Sequence, residues 1–172
     1  MTDQPDSSPR PNPMPPSSMT VEQMAAITAR HAELEQQGKY ELLLETLCED
    51  PIYEFHPPGG QLRGGDTLRS FYVEFLENFM PLVEEVIFFG EWATPMACVH
   101  EYQLGLNIDG QMEYHQLMGA IYGSGDRIGG ERLYGSDRLI DLMLGSFKSK
   151  LVAIEGPSIF EVSRIKLPGR SR

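Results

Sequence analysis

The hydrophobic pattern changes period near residue 82. Before that point, one short strand aside, apolar side chains recur at three- and four-residue spacing; beyond it they alternate, as strands do. Thr20 and Gln23 form a capping-box pattern, each side chain satisfying a backbone N–H at a helix start. Val21, Met24, Ile27, Thr28, His31 and Leu34 then fall near one face of a first helix, and Gly38 is its stop. A second helix is expected from Tyr40 to about Cys48, with Tyr40, Leu43, Leu44 and Leu47 as its apolar face and Asp50-Pro51 as its breaker. Ile52 to Phe55 reads as a strand. Alternation puts Tyr53 and Phe55 on one side of it and Ile52, Glu54 and His56 on the other. Pro57-Pro58-Gly59-Gly60 forms a turn that cannot continue a strand. A third helix starts after Gly64-Gly65, with Asp66 at its positive end. Leu68, Phe71, Tyr72, Phe75, Leu76 and Phe79 make an unbroken stripe along it, and it stops before Pro81. Such an aromatic stripe can seal a sheet at one end and line a cavity at the other.

The second half predicts strands over 83–91, 96–107, 111–122 and 127–134. Their separators, Ala93-Thr94-Pro95, Asp109-Gly110 and Gly123-Ser124-Gly125, are hairpin chemistry, so the sheet is mostly antiparallel. A short helix follows Ser136-Asp137, with Leu139, Ile140, Met143 and Leu144 on one side and Gly145 as its stop. Residues 151–162 add a last strand or pack under the sheet. The loop at Asp109-Gly110 leaves two registers open. A two-residue turn places His100, Tyr102 and His115 on one side. A three-residue loop with Gly110 as a bulge places His115 with Glu101 and Gln103.

Composition sharpens the domain plan. At 172 residues the chain suits one core. Residues 1–18, with six prolines, read as a disordered leader, 19–147 as the folded domain and 148–172 as an extension with flexible last residues. The net charge of −11 is uneven: 19–147 holds 21 acids and 7 bases, 148–172 holds 6 bases and 2 acids. An acidic body repels phosphate backbones, which argues against nucleic acid as a partner. No apolar run approaches the roughly 18–20 residues of a membrane span. No positive region followed by an apolar segment opens the chain, so no secretory signal is expected. Cys48 and Cys98 lie in apolar segments and read as buried free thiols, consistent with a cytoplasmic setting.

HPPG (56–59) followed by RGGDTLRSFY (63–72) resembles the signature of the nuclear transport factor 2-like superfamily, in particular its SnoaL-like polyketide-cyclase branch. GDRIGGERLYGSDRLIDLMLG (125–145) is similar to the last core strand and closing segment of the same proteins. The resemblance covers about 20–145. It implies an α+β fold: a cone-shaped, curved, mostly antiparallel sheet wrapped by three N-terminal helices, with an internal pocket for a small apolar molecule, and a homodimer as the assembly. It also allows a comparison with ketosteroid isomerases. TARHAEL (28–34) is similar to the first-helix segment that carries their oxyanion-binding tyrosine, and His31 stands at that place. Their catalytic aspartate corresponds to Phe55 without a gap, or to His56 with a one-residue shift, and the second oxyanion acid falls near Met118. The acid before the last-strand tyrosine in limonene-epoxide hydrolases corresponds to Leu133, before Tyr134.

Proton transfer needs a base near the working pH, and histidine is the side chain closest to it unperturbed. His31 and His56 are therefore the candidate catalytic residues, both expected to approach one cavity, although a core histidine bonded in place and a turn histidine bonded to backbone are the plainer readings. Tyr53, Glu54, Phe55, Phe71, Phe75, His115, Met118, Glu131 and Tyr134 are the expected pocket residues. Glu54 or Glu131 could orient a histidine. No spacing such as H-x-x-x-H supports a metal site from His100, Glu101 and His115, and no cofactor motif is present. The expectation is an isomerase-, cyclase- or hydrolase-type enzyme without cofactor; the alternative is a non-catalytic binding or dimerisation module on the same fold.

Overall fold

A computed structural model describes residues 14–154. Helix α1 (Val21–Gln36) starts at the expected capping box: the Thr20 hydroxyl accepts from the Gln23 N–H and the Gln23 side chain accepts from the Thr20 N–H. It buries Met24, Thr28, His31 and Leu34. Helix α2 is shorter than the pattern suggests, spanning Tyr40–Leu44. Strand β1 (Leu47–His56) has already begun where the helix was expected to run on. Asp50-Pro51 therefore lies inside a strand, within a register shift between Leu47 and Ile52 that absorbs the proline.

Strand β2 (Gly60–Arg63) returns antiparallel to β1, a four-residue element that its glycine and charge conceal in the sequence. Helix α3 (Gly65–Glu74) runs into a π-helical turn (Phe75–Phe79). That wider turn brings Phe75 and Phe79 together, their rings stacked at 5.0 Å. Leu68, Phe71, Tyr72, Phe75 and Phe79 are all buried, as the stripe requires.

Strands β3 (Val83–Ala93), β4 (Ala97–Ile108), β5 (Gln111–Ser124) and β6 (Arg127–Gly135) follow as a meander. Helix α4 (Asp137–Leu144) comes next, capped by Ser136. Strand β7 (Val152–Ala153) pairs with β2. Residues 155–162 of the expected last strand lie outside the described residues. The sheet order is β3-β4-β5-β6-β1-β2-β7, antiparallel except for the β1–β6 pair. The result is a curved, unclosed α+β sheet with the helices packed into its concave side. Residues of the proline-rich leader reach the fold too: Ser17 bridges to Gly125, and the Ser18 N–H donates to the Gly125 carbonyl.

The β4–β5 register is the two-residue one. Ile108 pairs with Gln111, and Asp109 (φ 53°) and Gly110 (φ 82°) make the turn. Cys98, His100, Tyr102, Leu104 and Leu106 therefore share the concave face with His115, Leu117, Gly119 and Ile121. Cys98 is fully buried; Cys48 is only partly so, and both are free. No helix among the described residues is long and apolar enough to cross a membrane.

Candidate active site

Inside the cone lies a small, partly open chamber of about 60 Å3. Its walls come from α1 (His31, Glu35), β1 (Tyr53), α3 and its π-helical end (Phe71, Tyr72, Phe75) and the concave face of the sheet. It adjoins a more apolar vestibule of about 230 Å3, walled by Phe75, Phe79, Met80, Val86 and Phe88. Ala32, Glu35, Phe75, His100, Tyr102 and Met143 border both spaces. An apolar entrance leading to a polar floor suits a small, mostly apolar ligand with one polar end.

A buried relay occupies one wall. The Thr46 hydroxyl donates to the Leu43 carbonyl at 2.6 Å, so its oxygen is left to accept from His31 Nδ1 at 2.7 Å. The proton of His31 is therefore on Nδ1, and Nε2 is an acceptor. Nε2 takes the Tyr72 hydroxyl at 3.0 Å, and Tyr72 in turn lies 2.7 Å from the Tyr53 hydroxyl. Burial holds His31 down at about 4 and pushes Tyr53 and Tyr72 well above the ordinary phenol range. His31 is thus neutral near pH 7, and it anchors the two tyrosines rather than titrating. Replacing Tyr72 by Phe removes the middle link of the relay. It is expected to cost about 1–3 kcal/mol in a urea melt, from polar atoms left unsatisfied; an unchanged midpoint would show that the relay is not formed.

Beside the relay stand two carboxyls. Glu35 follows His31 by four residues and so shares its helix face. Glu131 lies on β6 beside Tyr53 of β1. Gly119 of β5 makes room for it, since a Cβ there would collide with Glu131 Oε1. Among the described residues neither carboxyl has a side-chain hydrogen bond or ion pair. Burial pushes Glu35 up to about 7, and burial together with the Glu35 charge pushes Glu131 up to about 8. The pair therefore retains protons at neutral pH in a site that also holds neutral phenols.

The structure sorts the expected site residues by strand parity. His31, Tyr53, Phe71, Phe75 and Glu131 line the chamber. Phe55 points to the same side but is fully buried in the core against Phe71. Glu54, His56, Met118 and Tyr134 face the opposite, convex side of the sheet. His31 and His56 therefore do not approach one cavity, because every second residue of β1 turns outward. On the convex side His56 stacks on Tyr134 at 4.9 Å, and Arg132 holds the buried Glu54 at 2.7 Å. His56 Nε2 lies 3.8 Å from Glu54 Oε2, beyond hydrogen-bonding reach. His115 bonds Ser136 and Glu113 at the rim. His56, Met118, Tyr134 and His115 all border a wide, open outer depression of about 740 Å3. It is larger than the chamber but wider open to solvent, and among the described residues Glu101 is the one acid that lines it. Sequence reasoning passed over Glu35, Tyr72 and Tyr102 as site residues. The i, i+4 spacing to His31 was the available signal for Glu35.

No protein-family model matches the chain, and no curated protein matches it in sequence. Solved structures do match in three dimensions. A de novo designed protein with a curved β-sheet aligns with a TM-score of 0.61 at 13% identity, over 76% of this chain and 99% of its own. A steroid delta-isomerase from Pseudomonas aeruginosa aligns with a TM-score of 0.59 at 13% identity, over 76% and 95%. An NTF2-like protein from Anabaena variabilis aligns with a TM-score of 0.57 at 18% identity, over 70% and 96%. Likeness at such low identity carries architecture rather than chemistry, and the architecture it shows is the nuclear transport factor 2-like fold.

Proposed function

We propose that the chain is an enzyme that moves a proton on a small, mostly apolar metabolite, in a reaction of the isomerase, cyclase or hydrolase type. One observation carries this reading: Glu35 and Glu131, two half-buried carboxyls without side-chain partners, share a small chamber behind an apolar vestibule. A fold stabilised only for its own sake would not gain from two such groups, whose burial is costly. A carboxyl with its proton affinity raised to near neutrality can give up a proton or take one. Tyr72 gives its proton to His31 Nε2 and Tyr53 gives its own to Tyr72, so the relay presents the Tyr53 oxygen to the chamber as an acceptor that can orient a substrate hydroxyl. The acid/base role so passes from the histidines to the carboxyl pair. A steroid delta-isomerase of the same fold lends the reading support in kind.

The test is a thermal-shift screen of sterols, terpenoids and polyketide fragments, run on the natural chain and on Ala32→Phe. Ala32 borders both spaces, and a phenyl ring there fills their junction. A ligand at 100 times its dissociation constant should stabilise the natural chain by ~2.7 kcal/mol and leave the variant unmoved. Equal shifts in both proteins would place binding elsewhere. Binding without turnover of any compound that binds would favour the non-catalytic module.

A further inference from the structure

We propose that Glu91, Cys98 and His100 form a three-ligand site for a divalent transition-metal ion, zinc by chemistry, in the wall of the vestibule. The three donor atoms lie within 4.8 Å of one another. His100 Nε2 is 2.9 Å from Glu91 Oε2 and 3.5 Å from Cys98 Sγ. Zinc bonds of ~2.0–2.3 Å in a tetrahedron set donor atoms roughly 3.3–3.7 Å apart. Small side-chain rotations bring the three groups to that spacing. Thiolate, imidazole and carboxylate together are a donor set suited to zinc.

The backbone supplies the stronger argument. Cys98 and His100 are two residues apart on β4 and so share the concave face. Glu91 joins them only because β3 carries a bulge between Phe88 and Gly90. Before the bulge Phe88 pairs with Tyr102; after it Glu91 pairs with His100. Without the extra residue, Gly90 would stand opposite His100, and Glu91 would face outward beside Val99. The bulge thus re-aims one carboxylate onto a histidine and a thiol. Phe88, on the vestibule side, packs its ring edge-on to His100 at 5.6 Å.

Without a metal, the three groups are joined by hydrogen bonds: His100 Nε2 lies 2.9 Å from a Glu91 oxygen and 3.5 Å from the Cys98 sulfur. A cation bound on the lone pair of Nε2 would replace these bonds with three coordinate bonds to the same atoms. Glu91 and His100 both line the vestibule, so the fourth position opens toward it. Three protein ligands and one open position are the arrangement of a zinc site that binds a water or a ligand oxygen. This site adjoins the carboxyl chamber, since His100 borders both, but it shares no ligand with the pair and its test does not need turnover.

The experiment is cobalt(II) titration of the full chain, followed by displacement with zinc. One cobalt per chain is expected, with visible absorption of a four-coordinate ion and thiolate-to-cobalt charge transfer in the near ultraviolet. Cys98→Ser should abolish the charge-transfer band, and Cys48→Ser should keep it. Glu91→Gln alters an exposed edge-strand residue, so it should fold as the natural chain does, checked by circular dichroism, and weaken cobalt at least tenfold. His100→Gln should do the same. The proposal is overturned if the natural chain takes up no cobalt at modest excess. It is equally overturned if the band follows Cys48, or if Glu91→Gln binds as tightly as the natural chain.

Discussion

Exchanging Glu131 for glutamine is expected to cut turnover of any substrate found by the ligand screen by about 10²–10⁴-fold, the usual contribution of a positioned acid or base. The fold should survive, because glutamine is close in shape and charge to the protonated acid and fills the same space beside Gly119. The exchange should also change how stability depends on pH. In the folded chain Glu131 sits near 8 and Glu35 near 7, against an ordinary 4.5. Both are raised acids, so the folded state holds more protons than the unfolded one between pH 4.5 and 8, and stability falls as pH rises through that window. His31 acts in the opposite sense. Its value of about 4 lies below its ordinary 6.5, so stability rises with pH between those limits. The two trends oppose each other up to pH 6.5, and above it only the carboxyl effect remains. The natural chain should lose stability from pH 6.5 to 8 with a slope of about 1.4 kcal/mol per pH unit for each retained proton. In Glu131→Gln the slope should be markedly flatter. Denaturant melts at half-unit pH steps measure it. Parallel curves for the two proteins would mean that Glu131 is ionised throughout and holds no proton to transfer.

Gly130→Ala is expected to be the most destabilising single change. Gly130 has φ +151°, and a Cβ there would collide with the carbonyl oxygen of Ile52. That contact is backbone on backbone, so no side chain can swing away. Gly130 pairs with Ile52 just after the register shift in the parallel β1–β6 seam, which sets Tyr53 beside Glu131. The loss should be about 4 kcal/mol or more, a large share of the total stability of a domain of this size. Urea melts of the purified variant, or its failure to accumulate as folded protein, are the readout. A midpoint within error of the natural chain would contradict the close approach of the two strands.

The period of the hydrophobic pattern sufficed for much of this architecture. The 20–36 helix, the aromatic stripe of α3, the four long strands and α4 all follow from spacing and end signals, because each buries one face against a single large core. The pattern misjudged residues 45–51, where a leucine and a cysteine could continue a helix or begin a strand. It also missed β2, which is too short and too polar to announce itself. Strand parity was legible at Tyr53, Phe55 and His56, and it already separated His56 from Tyr53. The opposing idea, that the two histidines meet, came from resemblance.

The candidate site was legible only in part. Residue type singled out histidines, and helical spacing placed His31 inward. Their proton affinities depend on burial, which no local pattern carries: the chamber turned His31 into a neutral anchor and made acids of Glu35 and Glu131. Three further decisions needed the assembled sheet. The turn at Asp109-Gly110 chose between two registers and set His115 on the face of Tyr102. The parallel β1–β6 pairing, between strands some 80 residues apart in sequence, set Tyr53 beside Glu131. The β3 bulge swung Glu91 to the concave face. The sequence by itself determined which residues could be buried and in what order the elements come, because burial periodicity is local. Only the tertiary structure decided which titratable groups share a cavity, because that depends on register between distant strands and on the water they exclude together.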